Sequence, residues 1–119
     1  MPLLSWFLRN WADTDEGGDA DLAPVELNVS SQEALERVAT LIRQLPLWQL
    51  QATDPATGTV TATRRTRLFR FVDDITIRLE ATPSGTRVHA RSQSRVGVGD
   101  LGQNRRNLLE LLGPLRTGG

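Results

Sequence analysis

Asp73 and Asp74, side by side, and the run Arg91-Ser92-Gln93-Ser94-Arg95 are the residues whose types and spacing first suggest chemistry. Asp100 and Asn104-Arg105-Arg106 follow closely. Paired carboxylates can exchange protons or hold a divalent cation. Neighbours on a strand point to opposite faces, so Asp73 and Asp74 would not share one proton or one ion. With this many guanidiniums near in sequence, the expected use is Asp–Arg bridging that fixes the sheet edge to the last helix. Ser92 and Ser94 are no better placed as nucleophiles: His89 is the single histidine, and no Ser sits in a strand-turn-helix elbow. The stretch from Gly97 to Gly102 is glycine-rich but completes neither a phosphate loop nor a dinucleotide fingerprint. There is no cysteine, which excludes disulfides and thiolate ligands. No metal site and no cofactor are expected.

A second chemical surface comes from spacing alone. Arg87, Arg91 and Arg95 share one side of an alternating strand with His89 and Gln93, and Arg64, Arg65, Arg67 and Arg70 come from the preceding long strand expected over 59–71. Such a surface suits phosphate, lipid headgroups or an acidic protein, with Arg105 as a further anion contact. Nucleic acid fits the charge but not the composition. Of six aromatics, Trp6, Phe7 and Trp11 lie at the N-terminus and Trp48 reads as core, which leaves few stacking platforms. The bland alternative is a solvated sheet face covered by the chain's own acidic leader. Residues 1–36 carry one Arg against eight acids, net −7; residues 37–119 carry thirteen Arg against six acids, net +7.

The elements that must position these groups are legible in outline. The 119 residues, 39% apolar and 24% charged, match one globular domain with a real core. Leu4, Phe7, Leu8 and Trp11 follow the spacing of one helix face, and Trp6 adds a further aromatic, so 1–11 reads as an amphipathic anchor or docking segment. It is too short to span a bilayer and lacks the start and cleavage site of a signal peptide. Residues 12–24 read as a mobile acidic linker, and 25–116 as a single domain. Ser30-Ser31-Gln32-Glu33 is a capping-box pattern opening a helix that Pro46 ends. Strands are expected at Val25–Val29, Trp48–Thr53, Thr59–Phe71, Asp74–Ala81 and Arg87–Val98. A last helix is expected to open at Asp100, with Gln103 as cap partner, and to stop at Gly113-Pro114. The fold class is therefore α+β: an antiparallel sheet of about four to five strands with two helices on one face.

Phe69-Arg70-Phe71-Val72-Asp73-Asp74, the Arg91–Gly97 strand and Asp100-Leu101-Gly102-Gln103-Asn104-Arg105-Arg106 together resemble the domain of unknown function 1499 family. That family is marked by an aromatic-Pro/Val-Asp-Asp stretch, an Arg-Ser-x-Ser-Arg-x-Gly strand and an Asp-x-Gly-x-Asn-Arg helix start. The resemblance runs from about Val25 to Leu115. It makes Asp73, Asp74, Ser92, Ser94, Asp100, Asn104 and Arg106 a motif cluster, and it implies no agreed activity. Members occur in bacteria, cyanobacteria and plastids, often with an export or membrane-attachment segment. Many carry a Cys shortly before the first helix, where this chain has Asn28-Val29-Ser30.

The expected function is a non-enzymatic binding module, a peripheral subunit or assembly factor of a membrane-associated complex on the cytoplasmic or stromal side. Its partners are other protein subunits, with an anionic lipid surface as a further one. The family's occurrence makes a photosynthetic complex a candidate. A domain binding an anionic ligand or lipid comes second, and a hydrolase using Asp73, Asp74 and Asp100 third.

Overall fold

The computed structural model describes residues 9–66, 71–95 and 102–118. Along the chain these residues form β1 (Trp11–Asp13), a 3-10 turn (Ala20–Leu22), β2 (Val25–Leu27), α1 (Ser31–Gln44) and β3 (Trp48–Asp54). Then follow β4 (Thr59–Arg65), β5 (Val72–Thr82), β6 (Gly85–Ser94) and α2 (Gln103–Gly118).

Local chemistry sets the boundaries. Ser30 Oγ accepts the Glu33 N–H at 3.1 Å and caps α1, while the Glu33 carboxylate takes Arg37 at 2.7 Å one turn on. Pro46 cannot continue the helix, and Leu47 turns the chain through a left-handed φ of 70° into β3. The β3–β4 turn needs Gly58, whose φ is 70° and where a Cβ would meet the Leu79 carbonyl at 2.7 Å. Alternation then does the rest in β4, β5 and β6. Val60 and Ala62, then Ile75, Ile77 and Leu79, then Val88 and Ala90 all point inward. They meet Ala34, Val38 and Ile42 of α1 and Leu108, Leu111, Leu112 and Leu115 of α2 in one core. The helices cover this face of the sheet; the other face carries polar side chains.

Among the described residues the sheet has six strands, all antiparallel, in the order β1-β6-β5-β4-β3, with β2 also on β6. This exceeds the four to five strands expected, because the leader contributes β1. Trp11, Ala12 and Asp13 pair with Gln93, Ser92 and Arg91, and β2 pairs with the opposite half of β6. Two short strands thus share one edge of one long strand. Trp11 is therefore part of the sheet rather than of an N-terminal docking helix. Residues 12–24 are likewise not a free linker: Ala12, Thr14 and Leu22 are buried. A three-residue strand is too short to show a periodicity, and acids with Gly17-Gly18 mimic a linker.

A second correction concerns the last helix, which runs through Gly113-Pro114 to Gly118. Proline removes one hydrogen bond and usually breaks a helix, but Leu115 beyond it is buried with Leu111 and Leu112, and that burial carries the last turn. The expected cap at Asp100 and the outer parts of the strands expected at 59–71 and 87–98 fall on residues outside those described.

Candidate functional site

The pleat of β5 sends Asp73 and Asp74 to opposite faces, as the spacing requires. Asp73 is 1% exposed and faces the helices. Asn107 of α2 donates Nδ2 to its Oδ2 at 2.7 Å and to Ser92 Oγ at 3.1 Å. Ser92 Oγ donates to Asn104 Oδ1 at 2.5 Å, and Asn104 Nδ2 donates to Ser94 Oγ and to the Asn10 carbonyl, both at 2.8 Å. Gln103 Nε2 completes the run by donating to Asn107 Oδ1 at 2.7 Å. One buried polar chain therefore ties β5, β6, α2 and the start of the leader together. Asp73, Ser92, Ser94 and Asn104 were expected as a cluster and are brought together here. Asn107 was missed, although it follows Asn104 at a spacing that shares a helix face. Ser92, Asn104 and Asn107 have no solvent-exposed surface, so the arrangement can hold elements in place but offers no substrate a way in.

The opposite face of the sheet is built from arginines and carboxylates. Asp74 binds Arg95 through two hydrogen bonds of 2.8 Å, and this contact holds its carboxyl below the ordinary value against a smaller effect of burial. Asp13 takes Arg91 at 2.9 Å, Glu26 takes Arg87 at 2.5 Å, and Asp15 takes Arg78 at 3.3 Å. His89 lies between Asp15, 3.0 Å from Nδ1, and Glu80, 2.8 Å from Nε2. The hydrogen bond from His89, aided by Arg87, lowers the Glu80 carboxyl. Beyond the sheet edge, Arg105 of α2 grips Asp19 at 2.9 Å and lowers its carboxyl; the Asp21 N–H to the same carboxylate adds to this. Acids of the leader thus pair with Arg78, Arg87 and Arg91 of this face, and the three guanidiniums remain about half exposed. Each anion contact named from the sequence, Arg87, Arg91, Arg95 and Arg105, already holds a carboxylate.

Trp11 lies on this outer face. The guanidinium carbons of Arg9 and Arg91 stand 4.1 and 4.5 Å from its ring centre, so the indole is held by two cations. Arg64 does not belong to the basic face. It is 7% exposed, follows Val60 and Ala62 inward, and binds Glu110 of α2 at 3.2 and 2.8 Å. The same carboxylate accepts the Trp48 indole N–H at 2.7 Å. Arg106 reaches Gln103 at 3.0 Å. Leu4, Trp6, Phe7, Leu8, Arg67, Arg70 and Asp100 lie outside the described residues.

A depression of about 440 Å³ on the outer face is lined by Asp74, Thr76, Arg91, Gln93, Ser94 and Arg95. Asp74 and Arg95 pair with each other and Arg91 with Asp13, rather than aiming at a common point. Among the described residues no three His, Asp or Glu side chains gather to hold a metal, and no helix is long and apolar enough to cross a membrane.

The fold and the buried polar tie define an α+β domain with one helix-covered and one open polar sheet face. The chain belongs to the family described as Protein of unknown function (DUF1499), whose model matches residues 8–115. That match begins in the leader, well before Val25, in keeping with a leader that is part of the sheet. No curated protein matches the chain.

Proposed function

We propose that the protein is a non-enzymatic binding module, a peripheral subunit or assembly factor that docks on a larger membrane-associated complex. The observation that carries this reading is the open outer face of the sheet. It is broad, lined by polar and charged side chains from four strands, and carries Trp11 between two guanidiniums. Faces of this kind, rich in Arg and with an aromatic anchor, suit protein recognition. Ion pairs already made along the face favour a partner that exchanges charges with it over a small anion, which would have to displace a carboxylate at each arginine. The family's occurrence in cyanobacteria and plastids makes photosynthetic complexes the first partners to test.

The test is a tagged pull-down from gently solubilised membranes of the source cell, followed by mass spectrometry. Stoichiometric subunits of one membrane complex are expected, and Trp11→Ala together with Arg78→Glu on the outer face should lower their recovery several-fold. A monomer recovered alone from the soluble fraction would overturn the reading.

A further inference from the structure

Antiparallel pairing brings particular chain segments to the same end of the sheet. Arg65 pairs with Val72, the Arg95 N–H reaches the Val72 carbonyl at 3.2 Å, and the Ser94 N–H reaches the Asn10 carbonyl at 2.8 Å. Arg65, Val72, Arg95 and Arg9 therefore form the last cross-strand row, with three arginines from three parts of the chain. Phe71 stands directly beyond this row. Its backbone is fixed on both sides, with Thr66 N–H to the Phe71 carbonyl at 2.7 Å and Phe71 N–H to Thr66 Oγ1 at 2.9 Å. Even so it is 47% exposed, the exposed large apolar side chain among the described residues. Arg9 is the first described residue, and residues 1–8 before it in sequence include Leu4, Trp6, Phe7 and Leu8. The opposite end, at Pro55-Ala56-Thr57 and Pro83-Ser84, carries no large apolar side chain.

We infer that this end of the sheet, Arg65, Phe71 and Arg95 together with Arg9, is the surface that meets an anionic lipid bilayer. The inference rests on the membrane reading above and adds to it a defined orientation. An aromatic ring next to a guanidinium that holds no carboxylate matches the interface, where the ring enters the acyl boundary and Arg65 meets headgroup phosphates. Arg65 has no carboxylate partner among the described residues, whereas Arg95 and Arg9 share theirs with Asp74 and Glu16. With the strands directed at the bilayer, the outer face stands clear of it and remains available to a protein partner.

The full chain is mixed with sucrose-loaded vesicles of phosphatidylcholine alone, or with 30% (about one lipid in three) phosphatidylglycerol, and sedimented. Preferential binding to the anionic vesicles is expected. Phe71→Ser and Arg65→Ala should each weaken it about fivefold, and Ser84→Glu at the far end should leave it unchanged. Each variant is checked by circular dichroism, and all three positions are solvent-facing. Deletion of residues 1–8 should weaken binding without abolishing it. Wild-type chain that sediments with neither vesicle, or variants at Arg65 and Phe71 that bind as tightly as wild type, would overturn the inference. If the pull-down still recovers a membrane complex in that case, the subunit reading stands and the lipid-facing end is wrong. If neither assay gives a partner, both fall.

Discussion

Asn107 carries more of the structure than its type suggests. It bridges the Asp73 carboxylate and Ser92 Oγ within a site that water does not reach. Replacing it by Ala leaves a buried carboxylate short of a donor and also opens a small cavity. Asn107→Ala should therefore cost about 3 kcal/mol in chemical denaturation, whereas an exposed control such as Gln49→Ala should cost under about 0.5. A loss below 1 kcal/mol would mean that the polar tie is incidental. This residue scale also separates what could be read early from what could not. The opposition of Asp73 and Asp74 followed from the two-residue period of a strand. The inward turn of Arg64 was equally implied by Val60 and Ala62, but a guanidinium inside a core is unexpected until its partner is known. Glu110 lies far along the chain, and nothing local points from one to the other. The same holds for Asp19 and Arg105, and for Asp13 and Arg91.

Among the elements, β6 is the organiser, since it pairs with β5 along one edge and with both β1 and β2 along the other. The approach of the end of β2 to the start of β6 is tight. Gly85 has φ 154°, and a Cβ there would sit 2.1 Å from the Leu27 carbonyl and 3.0 Å from Asn28 Cα. Gly85→Ala must therefore push β2 away, with an expected loss of about 3 kcal/mol and a fall in melting temperature of several degrees. A variant as stable as wild type would show that β2 moves freely. The helix α1 and strands β3 to β6 were legible because each is long enough to display its period and is bounded by Pro, Gly or a capping Ser. The short β1 and the passage of α2 through Pro114 were not. Each depends on burial supplied by other elements: Ala12 against the core, Leu115 against Leu111 and Leu112.

At the scale of the whole molecule, the acidic leader and the basic remainder neutralise one another. Asp19, Asp74 and Glu80 all titrate below their ordinary values because guanidiniums or the His89 ring donate to their charged forms. A lowered folded-state value means that the unfolded chain takes up protons first as pH falls. The stabilisation is thus fully present above about pH 5 and is lost as pH drops through the folded-state values. Melting temperatures should be flat from neutrality to about pH 5 and then fall, and Asp19→Asn with Asp74→Asn should shallow the acid limb. An unchanged limb in that double variant would place the acid sensitivity elsewhere. These pairs are partly exposed, so each contributes little singly, and added salt should weaken them together. The sequence by itself determined the α+β class, the inward and outward faces of the long strands, the separation of charge between leader and domain, and the family resemblance. Those are local or compositional properties, carried by period, capping and residue counts. Only the tertiary structure decided that the leader joins the sheet and pairs its acids with the arginines, that the Ser and Asn motif residues form an internal tie, and that Phe71 and three arginines meet at one end. Those facts depend on contacts between residues far apart in the chain, and their geometry exists only once the sheet has closed on its core.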